Sequence, residues 1–424
     1  MTNNTRLFKK SLLAVTITTI TLASSQAMAA GFQLNAQSAT GIGRAFAGDA
    51  VIADNASVMA RNPAAMALFD KTELSLGFES ITSMIEVKDA EYNINGNPIP
   101  VADTDDVGDT SIAPNIHLIV PVNDKFAWGV NAYTNFGTKT EFDDNYTAAE
   151  YGGLTDVQSI NFGLAGSYRL NNQWSFGAGL DLIYGKGTMK RQTSAALDAA
   201  SGGLVPAGTT LVDVDEADGW AVGFNVGTVY ELDENNRFGF AYRYSPEITA
   251  KDDKGQEITL PLPDIAEFSG YHKIEDTQFA VHYSVQWIGW GAFDQIDFDN
   301  LQGSPLGSTY SKQYQWQDGW HYAIGGTYYL NSDWTLRAGY MYDTSAQDEL
   351  TSISVPDSDR QWFSAGFTYH IDTASNVDFG FTYLMGDDVS VSESTPIAPG
   401  LSTGVNATTH ADAILMGLQY SRSF

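Results

Sequence analysis

Along most of the chain, apolar and polar residues alternate with a period of two. The clearest stretch is 174–184. Trp174, Phe176, Ala178, Leu180, Leu182 and Tyr184 share one face there, and Ser175, Gly177, Gly179 and Asp181 share the other. A strand with lipid on one side and a lumen on the other needs this pattern. Aromatic residues at both ends of the stretch suit the two membrane interfaces. The alternation recurs at Phe126, Trp128 and Val130, at Ile160, Phe162 and Leu164, at Trp220, Val222 and Phe224, and at Phe379, Phe381 and Tyr383. A series of such strands predicts an all-β transmembrane barrel.

A soluble β-sandwich also alternates, but two features count against it. The connections are short and long in turn. Short polar turns at 121–125, 170–173, 232–236, 330–333 and 371–376 separate long acidic segments near 86–109, 191–218, 299–314 and 386–410. Short periplasmic turns and long outer loops are the barrel arrangement. The chain also closes on a strand with Ile414, Met416, Leu418, Tyr420 and Phe424 on one face. Arg422 interrupts that face where a long side chain can snorkel to the interface. Pairing turns with loops gives about fourteen antiparallel strands. Near the middle we expect a descending strand at 265–274, a turn at Glu275-Asp276-Thr277, and one ascending strand from Gln278 to about Phe298.

Residues 30–70 break the pattern. They are rich in Ala and Gly, without alternation and without a long apolar run. They cannot be barrel wall, so they are expected to form a small, partly helical hatch that closes the lumen of a 71–424 barrel. Arg61-Asn62-Pro63-Ala64 reads as a helix start, with Asn62 as N-cap and Pro63 at the first position. The run from Gly41 to Gly48 is not a nucleotide loop, since no strand precedes it and its spacing is wrong. Its small residues suit tight packing against the wall.

Composition narrows the setting. Arg6, Lys9 and Lys10, an apolar core at 12–23 and Ala27-Met28-Ala29 form an export signal over 1–29, cleaved before Ala30. No later stretch is apolar enough for a membrane helix. There is no cysteine, so no disulfide and no thiol chemistry. The signal carries three cations and no acid, so its removal takes the formal charge from −29 to −32. Such a surface excludes nucleic acid as a partner. His117, His272, His282, His321, His370 and His410 never fall at metal-ligand spacing. No cofactor and no enzymatic activity are expected; the alternative of another class is an outer-membrane lipid hydrolase.

Ala30-Gly31-Phe32-Gln33-Leu34-Asn35, Gly41-Ile42-Gly43-Arg44-Ala45, Ile52-Ala53-Asp54 and Arg61-Asn62-Pro63-Ala64 resemble the start of the bacterial outer-membrane long-chain fatty acid transporters, the FadL family. The likeness continues through Ala113-Pro114-Asn115-Ile116-His117, Tyr230-Glu231-Leu232-Asp233 and Ser354-Val355-Pro356-Asp357. The resemblance implies passive transport across the Gram-negative outer membrane. Ligand is caught between the outer loops near 193–214 and 248–268, passes to a lumenal pocket, and leaves sideways where the third strand kinks. The hatch motif falls on Asn62, Pro63 and Ala64, and the kink on Asn135, Phe136 and Gly137. Arg191 matches a family arginine that meets the ligand carboxylate. A second family cation, a lysine, falls on Gln317 here, which leaves Lys186, Lys190 and Lys312 as substitutes. Aromatic hydrocarbons are the alternative ligands. Lipopolysaccharide would surround the loops, and phage would use them from outside.

Overall fold

The computed structural model describes residues 31–35 and 37–424; the signal sequence and Ala30 lie outside the described residues. Fourteen antiparallel strands close a barrel. The first seven are β1 (Glu73–Ile94), β2 (Thr110–Pro121), β3 (Phe126–Glu141), β4 (Leu154–Arg169), β5 (Trp174–Gln192), β6 (Thr210–Glu231) and β7 (Asn236–Tyr244). The second seven are β8 (Ile265–Lys273), β9 (Phe279–Ile288), β10 (Gly319–Tyr329), β11 (Trp334–Asp343), β12 (Arg360–His370), β13 (Ser375–Gly386) and β14 (Leu401–Ser423). The ring closes where β1 pairs with β14, from Glu73 opposite Ser423 to Ile94 opposite Thr403. A closed ring leaves no strand edge, the condition for spanning lipid with strands.

The period of two carries through to exposure. Leu180 is 62% exposed and its neighbour Asp181 1%. Phe126, Trp128, Phe162, Leu164, Trp220, Val222 and Phe224 all point outward. No helix among the described residues is long and apolar enough to cross a membrane. At the end with long loops the chain forms further structure: a helix at Ala195–Ser201, and a hairpin of Ile248–Lys251 with Glu257–Leu260. A second hairpin joins Gln295–Asp299 to Thr309–Gln313, and Val389–Ala398 pairs with the outer half of β14.

One expected element differs. The ascending strand does not run from Gln278 to Phe298; β9 stops at Ile288. Gly289 follows, then a 3-10 turn at Trp290–Ala292, capped by the Asp318 carboxylate accepting from the Gly291 amide at 3.0 Å. The chain leaves the wall because Trp290 and Phe293 are both fully buried among aromatic side chains inside the barrel. Gln295–Asp299 then pairs with loop strands and not with the wall.

Residues 31–35 and 37–70 lie in the lumen, against the inward faces of the strands. Ala39–Ile42 and Val58–Arg61 are short α-helices, and Pro63–Leu68 is a 3-10 helix. Inward glycines let this segment approach the wall closely. A Cβ on Gly339 would collide with the Arg44 carbonyl, and one on Gly177 with the backbone of Pro63 and Ala64. Gly366 and Gly380 touch Gly43 and Ala39 in the same way. The small residues of the segment and the glycines of the wall are two halves of one packing solution.

Candidate functional site

The segment is tied down by buried polar groups. Asn62 caps the 3-10 helix, its Oδ1 accepting from the Ala64 amide at 3.0 Å, with Pro63 in the first position. Its Nδ2 donates to the Ala50 carbonyl at 2.8 Å and to the Thr228 carbonyl of β6 at 3.1 Å. Arg44 pairs with Asp49 and Asp54, each at 2.8 Å, and Arg337 of β11 reaches Asp54 at 3.2 Å. Arg61 donates to Asn35 and to Glu267 of β8, both at 2.5 Å. A buried cation deprived of its carboxylate is costly, so these pairs fix how the segment sits even where they add little net stability.

The third strand is irregular at the position that the resemblance marked. Its ladder with β4 slips by one residue between Thr134 and Phe136, a bulge at Asn135. A bulge adds one residue and so reverses which side chains face in. Tyr133 faces the lumen before it, and Phe136 after it. On the other side, the ladder between β2 and β3 ends at Ile116 opposite Ala132, although β2 stays paired to β1 as far as Thr110. Farther out, the Glu141 amide donates to Val107 at 3.0 Å. Between these points the N-terminal segment lies along β3. The Gly137 amide donates to the Phe32 carbonyl, and the Leu34 amide to the Asn135 carbonyl, both at 2.8 Å.

Phe32 is the base of an apolar cluster above the segment. Its ring lies 4.6 Å from Trp290, 5.3 Å from Phe293, 5.8 Å from Trp316 and 6.4 Å from Phe136. The loop hairpin adds Ile248, Ala250, Ile258 and Leu260 from above. The space left beside Phe32 and Phe136 is about 20 Å³, room for roughly one water molecule. An alkyl chain enters only if side chains move.

Arg191 lies at the outer end of β5, buried; it donates to the Leu154 carbonyl at 2.7 Å and to Thr155 Oγ1 at 2.6 Å. Gln317 is elsewhere: it is exposed, its amide donates to the Ala346 carbonyl at 2.8 Å, and it shares no partner with Arg191. Lys186 and Lys190 are held at the surface by Glu216 and Asp215, each at 2.9 Å. Lys312 is different. It is half-buried in the second loop hairpin, 2.9 Å from Glu393 and 5.2 Å from the centre of the Tyr314 ring. Arg191, Glu393 and Tyr314 all act on its charge. Burial alone would lower the Lys312 ammonium; Glu393, then Tyr314, outweigh it and hold the group above the usual lysine range.

Sequence reasoning did not find Trp290, Phe293 and Trp316 as lumenal aromatics. A signal was present: the alternation of β9 fails at Gly289. Nor could it place Glu393 beside Lys312, since the two come from separate outer loops.

The comparisons agree with this architecture. Residues 20–424 match the model of the family described as outer membrane protein transport protein (OMPP1/FadL/TodX). The chain is 35% identical to the long-chain fatty acid transport protein of Escherichia coli K12, covering 91% of this chain and 94% of that one. It is 34% identical to outer membrane protein P1 of Haemophilus influenzae Rd, covering 98% and 99%. Among solved structures, a Pseudomonas aeruginosa FadL homologue superposes with a TM-score of 0.82 at 22% identity, covering 93% of this chain and 100% of that one. The Pseudomonas putida toluene transporter TodX gives 0.63 at 17% identity, covering 87% and 94%; these two likenesses speak to fold. A closed barrel with its first residues packed in the lumen, matched across nearly its whole length, is an outer-membrane protein, and the chain belongs to the OMPP1/FadL/TodX transport family.

Proposed function

We propose that this protein carries long-chain fatty acids passively across the Gram-negative outer membrane, with residues 30–70 as the moving hatch and a lateral exit beside β3. The observation that carries this reading is the pairing of Phe32–Leu34 with Asn135–Gly137 where the ladder between β2 and β3 ends. Backbone at membrane depth is tolerated without a strand partner only where protein or a cavity covers it. The same residues that cover the wall also floor the apolar cluster, so a ligand displacing Phe32 would loosen the cover. Asn62, Pro63 and Ala64 would act as the anchor about which the hatch moves. Arg191 would meet the carboxylate, and Gln317 would take no part.

Each CH₂ leaving water is worth about 0.8 kcal/mol, so a chain of roughly sixteen carbons gains on the order of ten kcal/mol in an apolar site. Binding needs no energy source, and release into the bilayer lowers the cost of letting go. Aromatic hydrocarbons are the second reading, supported by the fold shared with toluene transporters. The cations Arg191, buried, and Lys312, half-buried, favour a carboxylate. Contact of the loops with lipopolysaccharide or phage would be incidental to transport. The test is uptake of labelled palmitate by cells lacking their own transporter. Expression should restore uptake, and unchanged uptake would defeat the proposal. Turnover of a lipid ester by the purified protein would point to a hydrolase.

A further inference from the structure

Asn35 directly follows the residues that pair with β3, and its side chain is bound at both ends. Its Oδ1 accepts from Arg61 at 2.5 Å and from Gln33 Nε2 at 2.9 Å. Two donors on one atom settle which end of the amide is the oxygen. The Nδ2 end therefore donates, to Gln286 Oε1 of β9 at 3.2 Å and to His321 Nδ1 of β10 at 3.0 Å. Asn35 and His321 are both buried. A neutral imidazole carries one proton and one lone pair. Facing the Asn35 amide hydrogen, Nδ1 must present the lone pair. The ring proton then sits on Nε2, which lies 3.1 Å from the Asp343 carboxylate of β11.

This arrangement holds for one protonation state of His321 only. A second proton goes to Nδ1, and two donors then face each other. A buried donor that loses its acceptor forfeits the bond and is not resolvated. The charges around the ring admit that proton. On the wall side, Asp343 lies 3.1 Å from Arg360 of β12, which also meets Asp357 at 2.7 Å. On the hatch side, Arg61 is paired with Glu267 of β8. With a neutral ring that is three carboxylates to two cations, and a proton on His321 evens the count. We infer that His321 is a positioning residue for the hatch. Neutral, it latches Asn35 to the wall; protonated, it repels Asn35 and loosens the bonds of Phe32 and Leu34 to β3. This goes beyond the fatty-acid reading above and rests only on its moving hatch. Coupling of this kind is reciprocal. A ligand that draws residues 32–35 off the wall frees Nδ1 for a proton, and acid makes that displacement easier.

The test is hydrogen exchange at the Leu34 and Gly137 amides, which hold the segment on β3. It is measured on the purified full-length mature protein in detergent at about pH 5 and about pH 8, either side of the ordinary imidazole range. Rates are corrected for the intrinsic pH dependence of exchange. No ligand is added, so failure here leaves the fatty-acid question open, and failed uptake leaves the latch standing. Wild type should exchange about tenfold faster in acid, the size of losing one buried hydrogen bond. His321→Asn puts an amide oxygen at the Nδ1 position and takes up no proton, so it should exchange slowly at both. Asn35→Asp turns an acceptor toward Nδ1, so its response should reverse, with slower exchange in acid. Heat-modifiable mobility on a gel reports that each variant is folded. A histidine that only fills space predicts none of these slopes. The inference is overturned if wild type exchanges alike at both pH values, if His321→Asn keeps the acid response, or if Asn35→Asp still opens in acid.

Discussion

Gly137 of the third strand donates its amide hydrogen to the carbonyl of Phe32 at 2.8 Å, so the wall and the floor of the apolar cluster share a hydrogen bond. Anything that moves the Phe32 backbone must act on the wall at Gly137.

This link can be locked. Gln33 and Phe136 oppose each other across the bridge, flanked by the bonds from Gly137 and Leu34. That makes them a non-hydrogen-bonded antiparallel pair, whose close Cα separation of roughly 4.5 Å is within disulfide reach. The natural chain has no cysteine, so Gln33→Cys with Phe136→Cys gives one defined crosslink. Oxidised protein should lose palmitate uptake, and reductant should restore it. Equal uptake in both states would mean that the segment stays on β3 throughout transport.

Gly339 and Arg44 test how the segment fits the wall. A leucine at 339 has no space against the Arg44 backbone and must push the segment away from β11. The barrel itself should still assemble, read as heat-modifiable mobility on a gel. Cells carrying Gly339→Leu should become sensitive to a large hydrophilic antibiotic, while cells with Gly339→Ala show a smaller effect.

Asn62 serves a local and a long-range purpose. Asn62→Asp keeps the cap on Ala64 and loses the donors to Ala50 and Thr228, whereas Asn62→Ala loses everything. Loss of the cap alone costs about 1 kcal/mol. Hydrogen exchange should show faster opening of residues 62–66 in both variants, more in the alanine. Amides of β6 away from Thr228 should stay protected.

Phe32 fills space that a ligand would need. Phe32→Ala should lower stability by about 3–5 kcal/mol, the usual range for a fully buried phenyl. Added palmitate should then raise the unfolding temperature more in the variant than in wild type, because the ligand fills the cavity. An equal rise in both would place the ligand away from Phe32.

Much of this molecule is written in its local pattern. A strand between lipid and lumen must alternate, so Leu180 and Asp181 declare their sides without any neighbour being known. The departure of residues 30–70 from that period excludes them from the wall, and the Asn62-Pro63 start of a helix is likewise local chemistry. Tertiary structure decided the rest. The bulge at Asn135 is a single added residue, visible only once β4 supplies a register to slip against. Gly289 ends β9 because Trp290 and Phe293 find aromatic partners on Trp316 and on Phe32, the latter far away in the chain. Glu393 meets Lys312 only because ring closure brings distant loops to the same side of the barrel mouth. A periodic pattern fixes which way each side chain points, but contacts between loops depend on the whole closed circuit of strands beneath them.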